Sequence, residues 1–292
     1  MEPGNNSVKK IISDIRHELL QIYEEPEIRQ LTFILFEEYL GWSKAQLHLA
    51  ADELLPGPVE ESILRATREL STGKPIQYII GKSWFSDFIL KVNQYVLVPR
   101  PETEQLCTLI KSDFEGYTHQ PFRILDIGTG SGAIAIDMKR HFKLSDVTAV
   151  DISSNALMTA AENALSCNCN INFRRMNIFD QLAWQNLGKF DLIVSNPPYV
   201  LDHERKLMHK NVIDFEPAQA LFVPDHDPLL FYRSIAGFAV SHLETPGHLY
   251  LEINEKFSFE VCELLLSTGF GYAESLEDFH GKQRFIRARL HG

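Results

Sequence analysis

Five residues in this sequence have the types and spacing to do chemistry on a planar nitrogen: Ser195-Asn196-Pro197-Pro198-Tyr199. They follow an apolar run, Asp191 to Val194, that reads as a buried strand. The prolines end that strand, since neither can donate to a sheet ladder. The Asn196 side-chain oxygen can accept one N–H of an amide or amine. The Pro197 carbonyl can accept the second, and both prolines hold the backbone so that little entropy is lost in aiming the acceptors. Tyr199 can cover one face and exclude water. A strand, a Pro-Pro turn and a packing tyrosine fit the same five residues, and both readings stay open on this motif alone.

Upstream, a strand from Phe122 runs into a glycine-rich turn and then a helix through Ile136. Glycines 128, 130 and 132 give Gly-x-Gly-x-Gly rather than the Gly-x-Gly-x-x-Gly of dinucleotide enzymes. Such a turn lets a ligand approach the backbone closely. Asp126 places a carboxylate beside it, which would repel a pyrophosphate and suit a cationic ligand. That points away from NAD and towards S-adenosylmethionine. Val147–Asp151 is the next strand, and its terminal acid can accept both ribose hydroxyls. Asn172–Met176 is a third. Asn177 after it can bond the adenine amino edge, with Ile178 or Phe179 on the ring face. A turn acid or a core apolar residue would explain any one of these, but together, at successive strand ends, they point to a nucleotide-type ligand.

The elements that carry these residues follow from pattern. Residues 8–72 read as helices: Val8, Ile11, Ile12, Ile15 and Leu19 recur at helical spacing, Pro26 opens a second helix that Gly41 ends, Ser43 to Gln46 is a capping box for a third, and Pro58 opens a fourth. From Ile76 to Val98 the runs Ile76–Ile80, Trp84-Phe85, Phe88–Val92 and Tyr95–Val98 are β-type, a hairpin linker. The expected organisation is a helical recognition domain (1–75), the linker (76–98) and a catalytic domain (99–292). In Pro99-Arg100-Pro101-Glu102-Thr103-Glu104, Glu102 or Thr103 would cap the helix carrying Leu106 and Ile110. Leu201–Glu216 is a polar crossover long enough to be a substrate-covering loop. A helix from Asp227-Pro228, a strand His248–Ile253, a helix Phe257–Thr268 and a final edge strand Phe285–Leu290 complete the chain.

The formal net charge of −11 argues against a dedicated nucleic-acid binder, because broad phosphate contact needs a basic face. The basic spots, Arg174-Arg175 and His203 to Lys210, are short. No stretch approaches the roughly 20 apolar residues of a membrane span. The start lacks a charged-then-apolar leader, so a cytoplasmic location is expected. Cys107, Cys167, Cys169 and Cys262 lack a metal-ligand spacing, and no metal is expected.

Asp126 to Gly132, Asp151 and Asn196 to Tyr199 together resemble a class I S-adenosylmethionine-dependent methyltransferase. Val98 to Glu104, Gln77 to Gly81, Phe215-Glu216-Pro217 and the helical N-terminus narrow the resemblance to the peptide chain release factor glutamine methyltransferases, over roughly residues 8–290. The resemblance implies a doubly wound, mostly parallel α/β sheet of seven strands with one antiparallel, joined to a small all-α domain by the hairpin. It implies methylation of the amide nitrogen of the glutamine in the Gly-Gly-Gln loop of release factors, with these as the partner and neither stable nucleic-acid nor membrane binding. Cofactor contacts are carried onto Gly128, Thr129, Gly130, Ser131, Gly132, Asp151, Ile178 and Asn196, with Asp126 and Asn177 beside them. Substrate contacts fall on Asn196, Pro197, Pro198 and Tyr199, and the catalytic role on Asn196, Pro197 and Tyr199. Two departures stand out: Asn177 replaces a usual aspartate, and Val223-Pro224 and Asp227-Pro228 replace a glycine-rich stretch. The same clamp would serve an adenine amino-group methyltransferase acting on flipped-out DNA or RNA bases. A cofactor-binding scaffold without catalysis is a third reading.

Overall fold

The structure is a computed structural model that describes residues 6–185 and 187–291. Met1–Asn5, the segment without a leader pattern, lies outside them. The chain divides into two units, Met1–Gly81 with His209–Phe215, and Lys82–Met208 with Glu216–Gly292.

The first unit is helical. Helix α1 (Val8–Leu19) starts at Ser7, whose hydroxyl accepts from the Lys10 amide. Its apolar stripe of Val8, Ile11, Ile15 and Leu19 is buried with Leu31 and Leu35 of α2 (Glu25–Leu40). Gly41 ends α2 in the left-handed conformation. The capping box at Ser43 and Gln46 opens α3 (Lys44–Leu49). Helix α4 (Gly57–Leu70) closes the core with Ile63 and Leu70. Ile76–Ile80, expected as a β-type run, is instead a single helical turn, α5. Five apolar residues carry no period that separates the two. Pro75 and left-handed Gly81, whose amide bonds Gln77 O, decide it.

The second unit opens with a hairpin, β1 (Lys82–Phe85) and β2 (Phe88–Lys91), in the register Phe85↔Phe88. Tyr95–Val98 forms no strand; the Val98 amide donates to the Glu216 side chain (3.3 Å) in place of a ladder. Helix α6 (Pro101–Asp113) is capped by neither Glu102 nor Thr103. Pro101 takes the first helical position, so Arg100 is the cap residue and Thr103 lies inside the first turn.

The main sheet comprises β3 (Arg123–Ile127), β4 (Asp146–Asp151), β5 (Asn172–Arg175), β6 (Phe190–Ser195), β9 (Leu243–Glu252), β10 (Phe270–Glu277) and β11 (Gln283–Leu290). A separate short pair is made by β7 (Val200–Leu201) and β8 (Phe222–Val223). The sheet order is β10-β11-β9-β6-β3-β4-β5. Only β11 runs against the rest. This is the doubly wound seven-stranded sheet that the resemblance implies. Ile124, Leu192, Val194 and Tyr250 face one layer, with α6, α7 (Ala133–His141) and α8 (Ser154–Ser166). Leu125, Ile193, Leu249 and Leu251 face the other, with α11 (Leu230–His242) and α12 (Ser258–Thr268). Burial on both faces is why these strands read as continuous apolar runs. The remaining helices are α9 (Gln181–Trp184) and α10 (Lys210–Phe215).

Phe285–Leu290, expected at the edge, lies inside the sheet between β9 and β10. The edge on that side is β10, a strand that its glycine, serine and glutamates hid. The crossover Leu201–Glu216 is not an open loop: it folds into a 3-10 segment, Asp202–Leu207, and α10. From β3 the chain winds out through β4 and β5, then returns to β6 on the other side of β3. The carboxyl ends of β3 and β6 flank that switch point, where open α/β sheets bind ligands.

Gly132, at the start of α7, has φ +84°, and a Cβ there would come within 3.2 Å of the Ala160 Cβ. Gly132→Ala is expected to cost about 1–3 kcal/mol of stability. Gly116→Ala, which meets open space, should change it by less than about 0.5 kcal/mol. Denaturant titrations of the two variants check the pair.

Candidate active site

The glycine turn is stitched to β4 by its own amides. Gly128 and Thr129 donate to Val150 O (2.8 and 3.0 Å), Gly130 to Asp151 Oδ2 (3.0 Å), and Gly132 to Thr129 O (2.8 Å). These donors are spent within the protein and do not form an anion cradle. The second Asp151 oxygen accepts from the Ser153 amide (2.9 Å). Burial raises the Asp151 carboxyl above its ordinary range against the pull of these amides. Asn163 of α8 braces the turn from behind: its Nδ2 donates to Ser131 O (2.8 Å) and Lys91 O (2.9 Å).

Asp126 is fully buried at the end of β3. Its Oδ2 accepts from the Thr129 hydroxyl (2.7 Å), while Oδ1 has no hydrogen-bond partner. Burial, with Asp151 nearby, pushes its pKa up to about 7 against the Thr129 hydroxyl and the Ala135 amide.

Beside these acids lies a cavity of about 250 Å³. Gly128, Thr129, Gly130, Ser131, Asp151, Asn177, Ile178, Asn196, Pro197 and Pro198 all line it. Asp126, Gly132 and Tyr199 are not among its lining residues. Asn177 Oδ1 accepts from the Phe179 amide (3.0 Å), an Asx turn that leaves Nδ2 uncommitted. The Phe179 ring lies 5.0 Å from Phe231 of α11.

Among the lining residues the sole cation is Arg100, and it is paired: its Nη2 is 2.6 Å from Oε1 of buried Glu216. With the Gly128, Thr129, Gly130 and Gly132 amides spent and that guanidinium paired, the wall is mostly acceptors and apolar surface, with Asn177 Nδ2 as a side-chain donor. A pyrophosphate would find no unpaired cation and few donors here. An adenosine bearing a cationic sulfonium fits the donor set.

Asn196 stands at the end of β6. Its Nδ2 donates to the Thr103 hydroxyl (3.0 Å), which donates to Glu252 Oε2 (2.8 Å). The Tyr199 hydroxyl donates to the other oxygen of Glu252 (2.8 Å). Burial raises both the Tyr199 and Glu252 pKa values. The Tyr199 hydroxyl is thereby fixed on Glu252, and the residue is not among those lining the cavity. Asn254 Nδ2 donates to Tyr199 O (3.2 Å) and fixes the far end of the motif.

Thr103, Glu252, Glu216 and Asn163 are the site residues that pattern reading missed. Thr103 and Glu216 sat in motifs already noted. Glu252 carried the signal that marked Asp126 and Asp151, an acid at the carboxyl end of a strand.

Because the native state holds the Asp126 proton more tightly than the unfolded chain, stability is greatest below the ordinary carboxyl pKa and is lost as pH rises through about 7. The contribution is on the order of 4 kcal/mol between pH 4 and 7. Denaturant titrations of wild type and Asp126→Asn across that range should show the variant losing less stability with rising pH.

Two family models match the chain, the PrmC N-terminal domain over residues 10–81 and the Methyltransferase small domain over 108–221. The release factor glutamine methyltransferase of Flavobacterium psychrophilum is 39% identical over 274 residues, covering 93% of this chain and 95% of that protein. That of Bacteroides thetaiotaomicron is 35% identical over 281 residues, 96% and 99% of the two chains. A methyltransferase structure from Pyrococcus furiosus shares the fold with a TM-score of 0.51 at 19% identity, over 70% of this chain and 88% of that one. A methyltransferase sheet, an acceptor-lined cavity and near full-length similarity to these relatives agree: the chain belongs to the release factor glutamine methyltransferase family.

Proposed function

We propose that the protein methylates the side-chain amide nitrogen of the glutamine in the Gly-Gly-Gln loop of peptide chain release factors, in the cytoplasm, with S-adenosylmethionine as methyl donor. The observation that carries this reading is Asn196. It lines the cavity, its Nδ2 is engaged by Thr103, and its Oδ1 is left as an acceptor. Asp151 would hold the ribose hydroxyls, the Gly128–Gly132 backbone the amino-acid moiety, and Ile178 with Asn177 the adenine. When bound, S-adenosylmethionine supplies a methyl carbon made electrophilic by a sulfonium.

An amide nitrogen is a poor nucleophile because its lone pair is delocalised into the carbonyl. Asn196 Oδ1 and the Pro197 carbonyl accept its two N–H groups. That raises electron density on nitrogen and fixes its direction of attack. Pro198 and the apolar wall exclude water, which strengthens both contacts. The methylated nitrogen is acidic and loses its proton late, so the chain need not supply a strong base. Glu252, the acid behind the clamp, is already committed to two hydroxyls. We assign the helical N-terminal region, residues 1–75, to recognition of the body of the protein substrate.

Labelled methyl transfer to purified release factor and to duplex DNA, offered side by side, tests the substrate. Label on the release factor, lost when its Gly-Gly-Gln glutamine is replaced, is expected; label on DNA alone overturns the reading. Asn196→Ala should lower turnover by about 100-fold or more while cofactor affinity by calorimetry stays within about threefold.

A further inference from the structure

We infer that Glu252 is a positioning residue: through the Thr103 hydroxyl, its carboxylate sets which end of the Asn196 amide faces the cavity. The inference rests on the reading of Asn196 Oδ1 as an acceptor for the substrate N–H.

The reasoning is a count of protons. Ionised Glu252 can only accept, and each of its oxygens meets a hydroxyl at 2.8 Å, Thr103 on one side and Tyr199 on the other. Both hydroxyls therefore give their protons to it. Thr103 has no second proton, so towards Asn196 it can only accept, at 3.0 Å. The Asn196 atom facing Thr103 must be Nδ2, and Oδ1 is turned outward. Carboxylate, hydroxyl and amide form a chain of fixed polarity. A neutral partner in place of the carboxylate breaks this logic. It could donate to Thr103, Thr103 could donate to Asn196, and the amide would turn its NH₂ to the cavity. A substrate N–H would then meet a donor.

The acid's surroundings give no other reason for it. Glu252 is buried at the end of β9. Arg284 of β11 acts on it only at longer range, because that guanidinium bonds Asp278 (3.3 Å) and Ile253 O (3.2 Å). Glu102 of α6 opposes its ionisation and Tyr232 of α11 faces the same region. A buried carboxylate without a bonded cation is costly, and an apolar residue would pack there at lower cost. Its two bonds run to the first and last residues of Asn196-Pro197-Pro198-Tyr199, through Thr103 to one and directly to the other. Those are the residues that a pair of prolines leaves without ladder contacts.

The test separates polarity from packing. Thr103→Val keeps the shape and loses the hydroxyl; Thr103→Ser keeps the hydroxyl and loses a methyl. With release factor as substrate, the valine variant should lose about tenfold or more in kcat with cofactor Kd within about threefold. The serine variant should keep most of the turnover. Glu252→Gln should behave like the valine variant. If thermal melting shows the glutamine variant unfolded, the Thr103 pair decides. Valine at wild-type turnover, or serine as impaired as valine, overturns the relay. Were that seen with Asn196→Ala inactive, the clamp would stand without it; a fully active Asn196→Ala would overturn both.

Discussion

The amides of the turn after β3 are consumed by β4, and much of the site follows from that. A glycine-rich turn leading into a helix is usually a place where free N–H groups meet an anion. Here Gly128 and Thr129 close on Val150 O, and Gly130 closes on the Asp151 carboxylate. The turn becomes a rigid extension of two strands. Most of the free valences left facing the cavity belong to acceptors, the second lone pairs of Asp151, the backbone carbonyls and the amide oxygen of Asn196, with Asn177 Nδ2 a donor among them. Asp126, buried behind the turn, keeps one oxygen unpartnered. The charge preference of the site is thus set by hydrogen bonds made inside the protein.

The rim obeys a related constraint. Two of its segments, Pro99-Arg100-Pro101 and Asn196 to Tyr199, are proline-rich and cannot be held by a sheet ladder. Each is instead held by a buried carboxylate from a distant part of the chain. Glu216 takes the Arg100 guanidinium and the Val98 amide. Glu252 takes Thr103 and Tyr199. Leaving a buried polar group without its partner costs about 1–3 kcal/mol and more for a charged one, whereas an exposed pair contributes about 0–1 kcal/mol. The rim therefore depends on these two acids far more than on exposed pairs such as Arg233 with Asp227.

The resulting clamp joins three elements. Asn196 comes from the end of β6, Thr103 from the first turn of α6 and Glu252 from the end of β9. Parallel strands bring their carboxyl ends to one edge, so β6 and β9 deliver their terminal residues side by side. Hydrogen-bond polarity then does what packing alone cannot, distinguishing the two ends of an amide that are nearly identical in shape.

By itself the sequence determined the features that rest on local physics. Continuous apolar runs marked the central strands because these are buried on both faces. Gly41 and the Ser43–Gln46 box marked helix ends because caps satisfy neighbouring backbone groups. Glycines at 128, 130 and 132, acids at strand ends and the Asn-Pro-Pro-Tyr motif marked the ligand edge because their backbone demands are intrinsic. Tertiary structure alone decided the rest. Ile76–Ile80 is helical because Pro75 and Gly81 bound it and Ile76 joins the helical core. The polar pattern of β10 belongs to a strand only because β11 pairs with it. Thr103 reads as a helix cap from its neighbours, yet its hydroxyl goes to Glu252, 149 residues away in sequence. A hydrogen bond across that span leaves no trace in local spacing, because which donor meets which acceptor is settled only when the strand ends are brought together.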